Sequence, residues 1–426
     1  MRVNNSIPQT YKDCSRTKQR RPQANSRSYW FWFFAARHNA SAAPFALWFN
    51  GGPGCSSMIG LFQENGPCKV NSDQKTTTLN RNNWNEVTNV LYIDQPVGTG
   101  FSHGAETTLT SDDAAGLVWQ ALQAFLENFP VYEGRELILA TESYGGHYGP
   151  AFVTVFNSQN ALIRRGVIEG EIITVSALML NNGWIDPGVQ YSNYPSFAAN
   201  PPGYDPIVPD SVIRKAYTSL LQDGGCMDQI RVCNAVGGSN NVCLNAFNYC
   251  ETNVYAPCLG DRDPYDIRSK RPDPLPQSWY INYLQQDSVQ KAIGAEVKFS
   301  SCNTGIYDKF AKQGDFTRTR LPQLGSLADR RLKILIWYGD ADYICNWTGG
   351  LALTLNMNWY GRTRFENAPF EDVTIKGSGV VAKVVNVDNF SFARVFKAGH
   401  EVPFYQPVVS LEFLKQVIAM QPIHSA

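Results

Sequence analysis

The sequence has few histidines, no long apolar runs and no excess of positive or negative charge. Only 5 of its 426 residues are histidine, which limits both metal sites and the choice of a general base. No apolar run approaches the roughly 20 residues of a membrane-spanning helix. Lys+Arg 37 balance Asp+Glu 37, so no charged surface for nucleic acid or an anionic membrane is expected. We therefore predict a globular protein with no metal, no cofactor, no nucleic-acid partner and no membrane partner.

The compartment must be read from cysteines and sequons, because the N-terminal stretch before Tyr29 is polar and basic with no apolar signal core. Any secretory signal is thus expected to be missing from this chain or already removed. Symmetric spacing predicts nested disulfides, Cys226 with Cys250 and Cys233 with Cys243, in a helical hairpin. A zinc site is the alternative, and it is disfavoured because the tight CxxC spacing is absent. Glycosylation sequons occur at Asn4, Asn39, Asn346 and Asn389. We predict a secreted protein or one of the vacuolar or lysosomal lumen.

Short apolar runs alternate with one clear helix pattern along most of the chain. "FALWFN", "NVLYID", "ELILAT" and "RLKILIWYGDAD" are typical of strands in a mostly parallel sheet. "SDDAAGLVWQALQAFLENFP" has an Asp-rich start, helical spacing and a terminal proline, and predicts a crossover helix. Residues 188–325 replace this alternation by Pro, Gly, Asn and clustered cysteines. We predict an α/β fold, one catalytic domain over 1–426, with 188–325 a disulfide-rich, largely helical insertion above the sheet.

Ser143 stands in "TESYGGHYGP", between a predicted strand and a predicted helix. A strand, a tight turn and a helix form the setting of a nucleophile elbow, where small residues must flank the serine. Gly145 and Gly146 satisfy this need, whereas Thr141 stands where the usual pattern has glycine. From the motif alone, Ser143 is either a nucleophile or an ordinary turn serine.

A nucleophilic serine needs a histidine base and a carboxylate that orients it. Of the five histidines, His400 in "FKAGHEVPFYQP" follows a strand-like run through a glycine corner, and a solvated loop histidine is the alternative. "ILIWYGDAD" ends in Asp340 and Asp342, and spacing does not choose between them. The order serine, aspartate, histidine is that of α/β-hydrolases.

The glycines of "WFNGGPGCSS" follow an early strand and would let backbone N–H groups approach a substrate oxygen. A plain tight turn or a phosphate loop are the alternatives. The phosphate loop is disfavoured because neither GxGxxG nor a terminal GK[ST] is present.

Six motifs together resemble the serine carboxypeptidases of fungi, yeast vacuoles and plants, most of all a fungal member: "WFNGGPGCSS", "IDQPVGTGFS", "ESYGGHYGP", "NNGWIDP", "YGDADYICNW" and "GHEVPFYQP". The resemblance runs from about Tyr29 to the C-terminus. It implies the α/β-hydrolase fold, with Ser143 as nucleophile, Asp342 as orienting carboxylate and His400 as general base. The oxyanion donors would be the backbone N–H groups of Gly52 and Tyr144.

The resemblance also implies three binding regions. The terminal carboxylate of the substrate would be held by Trp48, Asn50, Gly51, Glu64 and Glu142. The side chain before the scissile bond would meet Tyr144, Trp184, Tyr191, Tyr194 and Ile344, with the Cys345 thiol nearby, inert or paired. The C-terminal side chain would meet Ile59 and Glu401, and Glu401 would favour a basic residue. Two glutamates suit a carboxylate only if they share protons, so activity is expected to favour acidic pH.

The resemblance further implies a disulfide between Cys55 and Cys302, and Cys14 with Cys68 is a guess that leaves Cys258 and Cys345 unassigned. The family's Gly-Tyr strand near the start is absent here, so the first hairpin is expected to be altered. The predicted function is release of C-terminal amino acids from peptides or proteins through an acyl-enzyme. An acyltransferase or esterase on the same fold, or a silent binding protein, are the alternatives, and the oligomeric state stays open.

Overall fold

A computed structural model describes residues 27–426, and nine of its strands form one sheet. The order across this sheet is β1, β5, β2, β6, β7, β8, β11, β10, β9, while β3 and β4 form a separate hairpin. The strands are β1 Phe31–Phe34, β2 Phe45–Phe49, β3 Cys68–Val70, β4 Thr77–Leu79, β5 Asn89–Ile93, β6 Leu137–Glu142, β7 Val175–Asn181, β8 Lys333–Gly339, β9 Glu371–Thr374, β10 Val380–Val387 and β11 Phe390–Val395.

The six central strands, β5 to β11 in that order, run parallel, and antiparallel strands flank them at both edges. Along β2, Leu47 and Phe49 enter one hydrophobic core, whereas Ala46 and Trp48 enter the other. Successive side chains of a strand point to opposite faces, so the sheet has a core on each side. This explains the near-continuous apolar runs of the sequence and confirms the predicted mostly parallel α/β architecture.

Helices cover the two faces and fill the segment between β7 and β8. They are α1 Ser111–Asn128, α2 Gly145–Arg164, α3 Pro187–Ala199, α4 Asp210–Leu221, α5 Cys226–Asn234, α6 Asn240–Cys250, α7 Ala256–Leu259, α8 Trp279–Gln285, α9 Asp287–Ile293, α10 Thr304–Lys312, α11 Leu321–Asp329, α12 Trp347–Asn356, α13 Arg362–Asn367, α14 Val402–Tyr405 and α15 Pro407–Ile418. The predicted crossover helix is α1. Thr110 and Asp113 form its capping box, because each side chain bonds the backbone N–H of the other.

The chain between β7 and β8 contributes no strand to the nine-stranded sheet within the described residues. Helices α3 to α11 occupy it, and the residues predicted as an insertion, 188–325, lie inside this stretch. Disulfides join Cys226 to Cys250 and Cys233 to Cys243, which tie α5 to α6. The nested spacing of the four cysteines therefore corresponds to two bridged helices, and the thiolates that zinc would need are not available.

A third disulfide joins Cys55, in the glycine-rich loop after β2, to Cys302, just before α10. Its two cysteines are 247 residues apart, so it links the sheet to the segment above it. Cys68 is disulfide-bonded, whereas Cys14, its guessed partner, lies outside the described residues. Cys258 and Cys345 are free and buried.

Two of the predicted glycosylation sites have side chains that form hydrogen bonds within the fold. Asn346 is 2% exposed, and its side chain caps α12 by accepting from the Gly349 N–H at 2.9 Å. The Asn389 amide nitrogen donates to the carbonyl oxygens of Ala328 and Leu332 at 3.0 and 2.6 Å. Glycosylation at these two positions stays a prediction, and a glycan on the Asn389 nitrogen would remove one of the two hydrogens that make its bonds. Asn39 is exposed, and Asn4 lies outside the described residues.

No helix of the described chain is long and apolar enough to cross a membrane.

Candidate active site

Ser143 lies in the turn between β6 and α2, at the carboxyl edge of the parallel strands. Its φ is 61°, a left-handed conformation that costs a non-glycine residue free energy and that recurs at functional sites. Thr141 occupies the place of the usual glycine and donates its hydroxyl to the Gly145 carbonyl at 2.8 Å. A Cβ at position 145 would lie 2.5 Å from the Thr141 Cβ, so glycine is required there. Ser143 itself is half-buried.

Asp342 and His400 form a buried pair at the same edge, after β8 and β11. The His400 Nδ1 lies 2.8 Å from the Asp342 Oδ2, and the two side chains are 5% and 0% exposed. The Asp342 Oδ2 also accepts from the Asn182 amide at 2.6 Å and from the Cys345 backbone N–H at 3.2 Å. These donors fix the carboxylate, so His400 is held with Nδ1 toward Asp342 and Nε2 directed elsewhere.

The His400 Nε2 is buried and has no hydrogen-bond partner among the described residues. Asn181 connects this histidine to the serine, because its carbonyl accepts from the Ser143 N–H at 3.0 Å and its amide donates to the His400 carbonyl at 3.2 Å. The ring of Tyr265 covers the imidazole at 5.1 Å between centroids. An unpartnered imidazole nitrogen beside a serine elbow is the arrangement that a general base needs.

Asp340 lies away from this pair, although the sequence left it equal to Asp342. Its carboxylate accepts from the Tyr204 hydroxyl at 2.7 Å and pairs with Arg394 at 3.5 Å. The hydrogen bonds that the structure gives Asp340 thus include none to His400.

The glycine-rich loop after β2 lies directly against the serine turn. A Cβ added at Gly51 would lie 2.4 Å from the Tyr144 nitrogen, and Gly52 has φ +104°. Neither the Gly52 N–H nor the Tyr144 N–H has an acceptor within the part of the chain that the structure describes. Two free backbone donors next to a serine can hold a developing oxyanion.

Asn50 organises a cluster of buried acids next to the serine turn. Its amide nitrogen donates to the Glu64 Oε1 at 3.1 Å and to the Glu142 Oε1 at 3.0 Å. Its oxygen accepts from the Trp48 indole at 2.8 Å and from the Gly60 N–H at 2.9 Å. Trp48 is 1% exposed, so it orients Asn50 and has no free N–H for a ligand.

Burial raises the pKa of both acids, and their proximity adds to the effect for Glu142. The pKa of Glu142 stands well above its ordinary value, first because of burial and then because of the Glu64 charge. Burial also raises the pKa of Glu64, while hydrogen bonds from Glu142 and Asn50 oppose the shift. Two facing carboxyl groups that share protons can donate a hydrogen bond to an anion.

Glu401 and Lys69 lie at the margin of the same cluster, where each acts electrostatically on Glu64 or is acted on by it. Ile59, which precedes the segment that carries Glu64, is half-buried. Burial first, and the Glu64 charge second, raise the pKa of Glu401 well above its ordinary value, while Lys69 opposes this. The Lys69 ammonium donates to the Gln63 carbonyl at 2.6 Å and lies over the Phe404 ring at 5.3 Å. The sequence reasoning missed Lys69, whose position in a short hairpin gave no signal.

A cage of aromatic rings begins beside Ser143. The backbone N–H of Trp184 donates to the Ser143 carbonyl at 2.8 Å. The Trp184 and Tyr191 rings are in contact, with 5.1 Å between their centroids. Tyr191 contacts Tyr194 at 5.7 Å, whose hydroxyl donates to the Ile344 carbonyl at 2.6 Å. We call Tyr144, Trp184, Tyr191, Tyr194 and Ile344 the aromatic cage. The structure brings these residues together, although they come from four separate stretches of the sequence.

His147 and Asp315 form hydrogen bonds to two residues of this cage, Trp184 and Tyr144. The His147 ring nitrogens lie 2.5 Å from the Trp184 carbonyl oxygen and 2.9 Å from the Arg318 carbonyl oxygen, so both are engaged with the backbone. Asp315 accepts from the Tyr144 hydroxyl at 2.6 Å and pairs with Arg320 at 2.9 Å. Asp315 is not recognisable from the sequence, because Tyr144, whose hydroxyl it holds, is 171 residues away.

One cluster of possible metal ligands occurs among the described residues, namely Asp342, Cys345 and His400, with ligand atoms within 4.8 Å. The Asp342 oxygen is already bonded to the His400 Nδ1, and burial raises the pKa of the Cys345 thiol well above its ordinary value. A neutral thiol and a committed carboxylate make this set a poor cation site.

A family profile for serine carboxypeptidases matches residues 20–420. The chain belongs to the serine carboxypeptidase family. Carboxypeptidase S1 of Penicillium janthinellum is 43% identical over 403 residues, covering 94% of both chains. Carboxypeptidase S1 homolog B of Arthroderma otae is 34% identical and covers 91% of this chain and 69% of its own.

Among solved structures, a prohormone-processing carboxypeptidase of Saccharomyces cerevisiae, Kex1(Δ)p, superposes with a TM-score of 0.75 at 25% identity. The match covers 97% of this serine carboxypeptidase and 90% of the yeast chain. The predicted family, the α/β-hydrolase type of fold and the hydrolase class are therefore confirmed.

Proposed function

We propose that this serine carboxypeptidase releases C-terminal amino acids through Ser143, Asp342 and His400 and an acyl-enzyme intermediate. The observation that carries the proposal is the buried Asp342 and His400 pair, whose free Nε2 lies at the strand edge that bears Ser143. The adjacent cluster of protonated acids could bind the terminal carboxylate of a peptide, which would direct cleavage to the last peptide bond.

In the first step, the His400 Nε2 takes the proton of the Ser143 hydroxyl as its oxygen attacks the carbonyl carbon of the last peptide bond. The Gly52 and Tyr144 N–H groups donate hydrogen bonds to the carbonyl oxygen as it becomes negatively charged. His400 then gives its proton to the leaving amine, and the remaining acyl group stays on Ser143. A water molecule, deprotonated by His400, releases this acyl group. Asp342 keeps the imidazole oriented and stabilises its charged form.

The terminal carboxylate of the substrate is proposed to bind at Asn50, Glu64 and Glu142, with the Gly51 backbone alongside. In this proposal the protonated acids donate to the carboxylate, and their raised pKa keeps them protonated at acidic pH. Trp48 contributes by holding Asn50. Because this set binds only a free carboxylate, it favours a peptidase over an acyltransferase with an uncharged acyl donor.

Further parts of the proposal concern pockets and location. The side chain before the scissile bond is proposed to bind at the aromatic cage, and the C-terminal side chain to meet Ile59 and Glu401. Residues 188–325 are proposed to act as one insertion within a single domain. The disulfides between described cysteines support a secreted or vacuolar location, since such bonds persist in oxidising compartments.

The decisive experiment is release of leucine from an N-acylated Phe-Leu dipeptide near pH 5. Wild type is expected to release it, whereas Ser143→Ala is expected to lose activity by about 10⁴-fold or more. The matched control substrate is the same dipeptide with a C-terminal amide, which lacks the carboxylate. Hydrolysis of a simple ester but not of either dipeptide would overturn the peptidase proposal in favour of an esterase or acyltransferase.

A further inference from the structure

One of the six motifs, "IDQPVGTGFS" at residues 93–102, has no role in the proposed catalytic mechanism. Its aspartate, Asp94, follows β5 and is 0% exposed. The Asp94 Oδ1 accepts from the Ser56 hydroxyl at 2.5 Å and from the Ser57 backbone N–H at 3.1 Å. The Asp94 Oδ2 accepts from the Phe101 backbone N–H at 2.8 Å. This buried carboxyl group therefore joins its own motif to the glycine-rich loop after β2, because the two serines end that loop.

The glycine-rich loop, residues 50–57, carries the Gly52 N–H that is proposed to hold the oxyanion, and we call it the oxyanion loop. At its start, the Asn50 side chain is bonded to the acid cluster. At its end, two consecutive serines are bonded to the Asp94 carboxyl group. Gly52 lies between these two ends, so the position of its N–H depends on both of them.

The rest of the motif is folded around the Asp94 carboxyl group. Gly100 has φ +57°, and a Cβ added there would lie 2.0 Å from the Asp94 Oδ2. Both the backbone conformation and the close approach of the carboxyl group therefore require glycine at this position. The Ser102 hydroxyl donates to the Asp94 carbonyl at 2.7 Å. The glycine and the serine of this motif thus help to place one carboxyl group against the oxyanion loop.

The three groups that bond the Asp94 carboxyl group are neutral donors, namely two backbone N–H groups and one hydroxyl group. The Ser56 oxygen itself accepts from the Met58 N–H at 3.1 Å, which leaves the Ser56 proton free for Asp94. Burial raises the pKa of Asp94 to about 7, and the three hydrogen bonds oppose the rise. A carboxyl group keeps acceptor capacity with or without its proton, so its contact to the loop does not require the charge. An amide nitrogen has no acceptor capacity, so asparagine cannot make the same set of bonds.

We propose that Asp94 is a positioning residue that sets the place of the Gly52 N–H through its hydrogen bonds to Ser56 and Ser57. Because Asp94 is fully buried, it acts through the oxyanion loop and not on the substrate. Its effect belongs to the transition state, where the negative charge on the carbonyl oxygen develops. Binding of the terminal carboxylate should stay nearly unchanged, since Asn50 has its own bonds. This inference rests on the proposed function and assigns a role to a motif that the triad does not use.

The first variant, Asp94→Asn, keeps the shape of the side chain and removes one acceptor. Its amide nitrogen must face either the Ser57 N–H or the Phe101 N–H, which sets a donor against a donor. In release of leucine from an N-acylated Phe-Leu dipeptide near pH 5, kcat should fall by about 10- to 100-fold. The loss should be smaller than for a deleted oxyanion donor, because the Cys55 disulfide still restrains the loop. KM should change by less than about threefold.

The second variant, Ser56→Ala, removes the hydroxyl that bonds Asp94 and leaves the carboxyl group in place. Its kcat should fall by about tenfold, and the double variant should lose no more than Asp94→Asn alone, because both changes break one contact. Ser102→Ala is the matched control, since it removes a similarly buried hydroxyl that bonds the Asp94 backbone and not its carboxyl group. Its kcat should change by less than about threefold.

An N-acylated aminoboronic acid gives a readout that loss of stability alone does not move. Its boron forms a tetrahedral adduct with the Ser143 oxygen, and one boron-bound oxygen takes the place of the oxyanion. The inhibition constant in Asp94→Asn should rise by about the same factor by which kcat falls, because both measure binding of the transition state.

An unchanged kcat in folded Asp94→Asn, an equal loss in Ser102→Ala, or an unchanged inhibition constant of the boronic acid would overturn the inference. If Asp94→Asn does not fold, Ser56→Ala decides, and its kcat and its inhibition constant must then move together by about tenfold. Failure of wild type to release leucine from the dipeptide would instead count against the proposed function.

Discussion

Asp342 and Glu142 are two buried carboxyl groups at the same edge of the sheet, and they differ in what faces them. Asp342, after β8, meets three donors at its Oδ2, namely the Asn182 amide, the Cys345 N–H and the His400 Nδ1. Glu142, at the end of β6, faces a second carboxyl group, Glu64, across Asn50. Equal burial therefore does not give the two carboxyl groups the same surroundings. Asp342 meets hydrogen-bond donors, whereas Glu142 meets a second acid, which raises its pKa further.

The largest effect on activity is expected from a substitution of Asp342. Asp342→Asn should lower kcat by about 10⁴-fold, because an amide cannot stabilise the charged imidazole and favours the wrong His400 tautomer. Asp340→Asn is the matched control, since Asp340 bonds Tyr204 and Arg394 instead of the histidine. Its kcat should change by less than about threefold. Equal losses in the two variants would contradict the assignment of Asp342.

Removing the residue between the two glutamates should affect substrate binding more than chemistry. Asn50→Ala deletes an amide that donates to both Glu64 and Glu142. KM for a peptide with a free C-terminus should rise by about 10- to 100-fold, because the amide that positions both acids for the substrate carboxylate is lost. KM for the corresponding C-terminal amide should stay nearly constant. Parallel increases for both substrates would mean that Asn50 supports the fold and not the carboxylate.

A milder change, Glu142→Gln, tests whether a proton shared with Glu64 holds the substrate. The pKa of Glu142 lies well above its ordinary value, so the protonated form is present in acid and is lost as the pH rises through that raised pKa. In wild type, KM should therefore rise by about tenfold or more from acidic to neutral pH. In Glu142→Gln the rise should be smaller, because a neutral amide stands opposite Glu64 at every pH. A KM profile that is flat in wild type would contradict the shared proton.

The same comparison explains how much of the molecule could be read from the sequence. Ser143, Asp342 and His400 each follow a strand, and apolar runs with a motif at the end made their surroundings recognisable. The choice between Asp340 and Asp342 could not be made from spacing, because it depends on which carboxylate the distant His400 contacts. Lys69 and Asp315 carried no local signal, since a single charged residue in a polar stretch does not indicate that its side chain turns into the fold.

The sequons show a different limit, because a local pattern does not report how the fold uses the side chain. Asn346 and Asn389 match the acceptor pattern, but the amide nitrogen of Asn389 and the cap made by Asn346 are committed inside the fold. Three-residue patterns do not report burial, whereas helix and strand patterns do, because burial itself creates their periodicity.

The smallest effect is expected at Glu401, which extends the acidic side of the comparison toward the C-terminal side chain of the substrate. The pKa of Glu401 is raised well above its ordinary value by burial and by the Glu64 charge, and Lys69 stands close enough to oppose the shift. Glu401 is therefore neutral in acid, and a charge preference there should be weak. Near pH 5, the ratio of kcat/KM for a C-terminal lysine to that for leucine should change by less than about threefold in Glu401→Gln. A large loss of lysine release in this variant at pH 5 would show that Glu401 is ionised and pairs with the substrate. Burial beside a second carboxyl group would then not be enough to keep an acid neutral in this site.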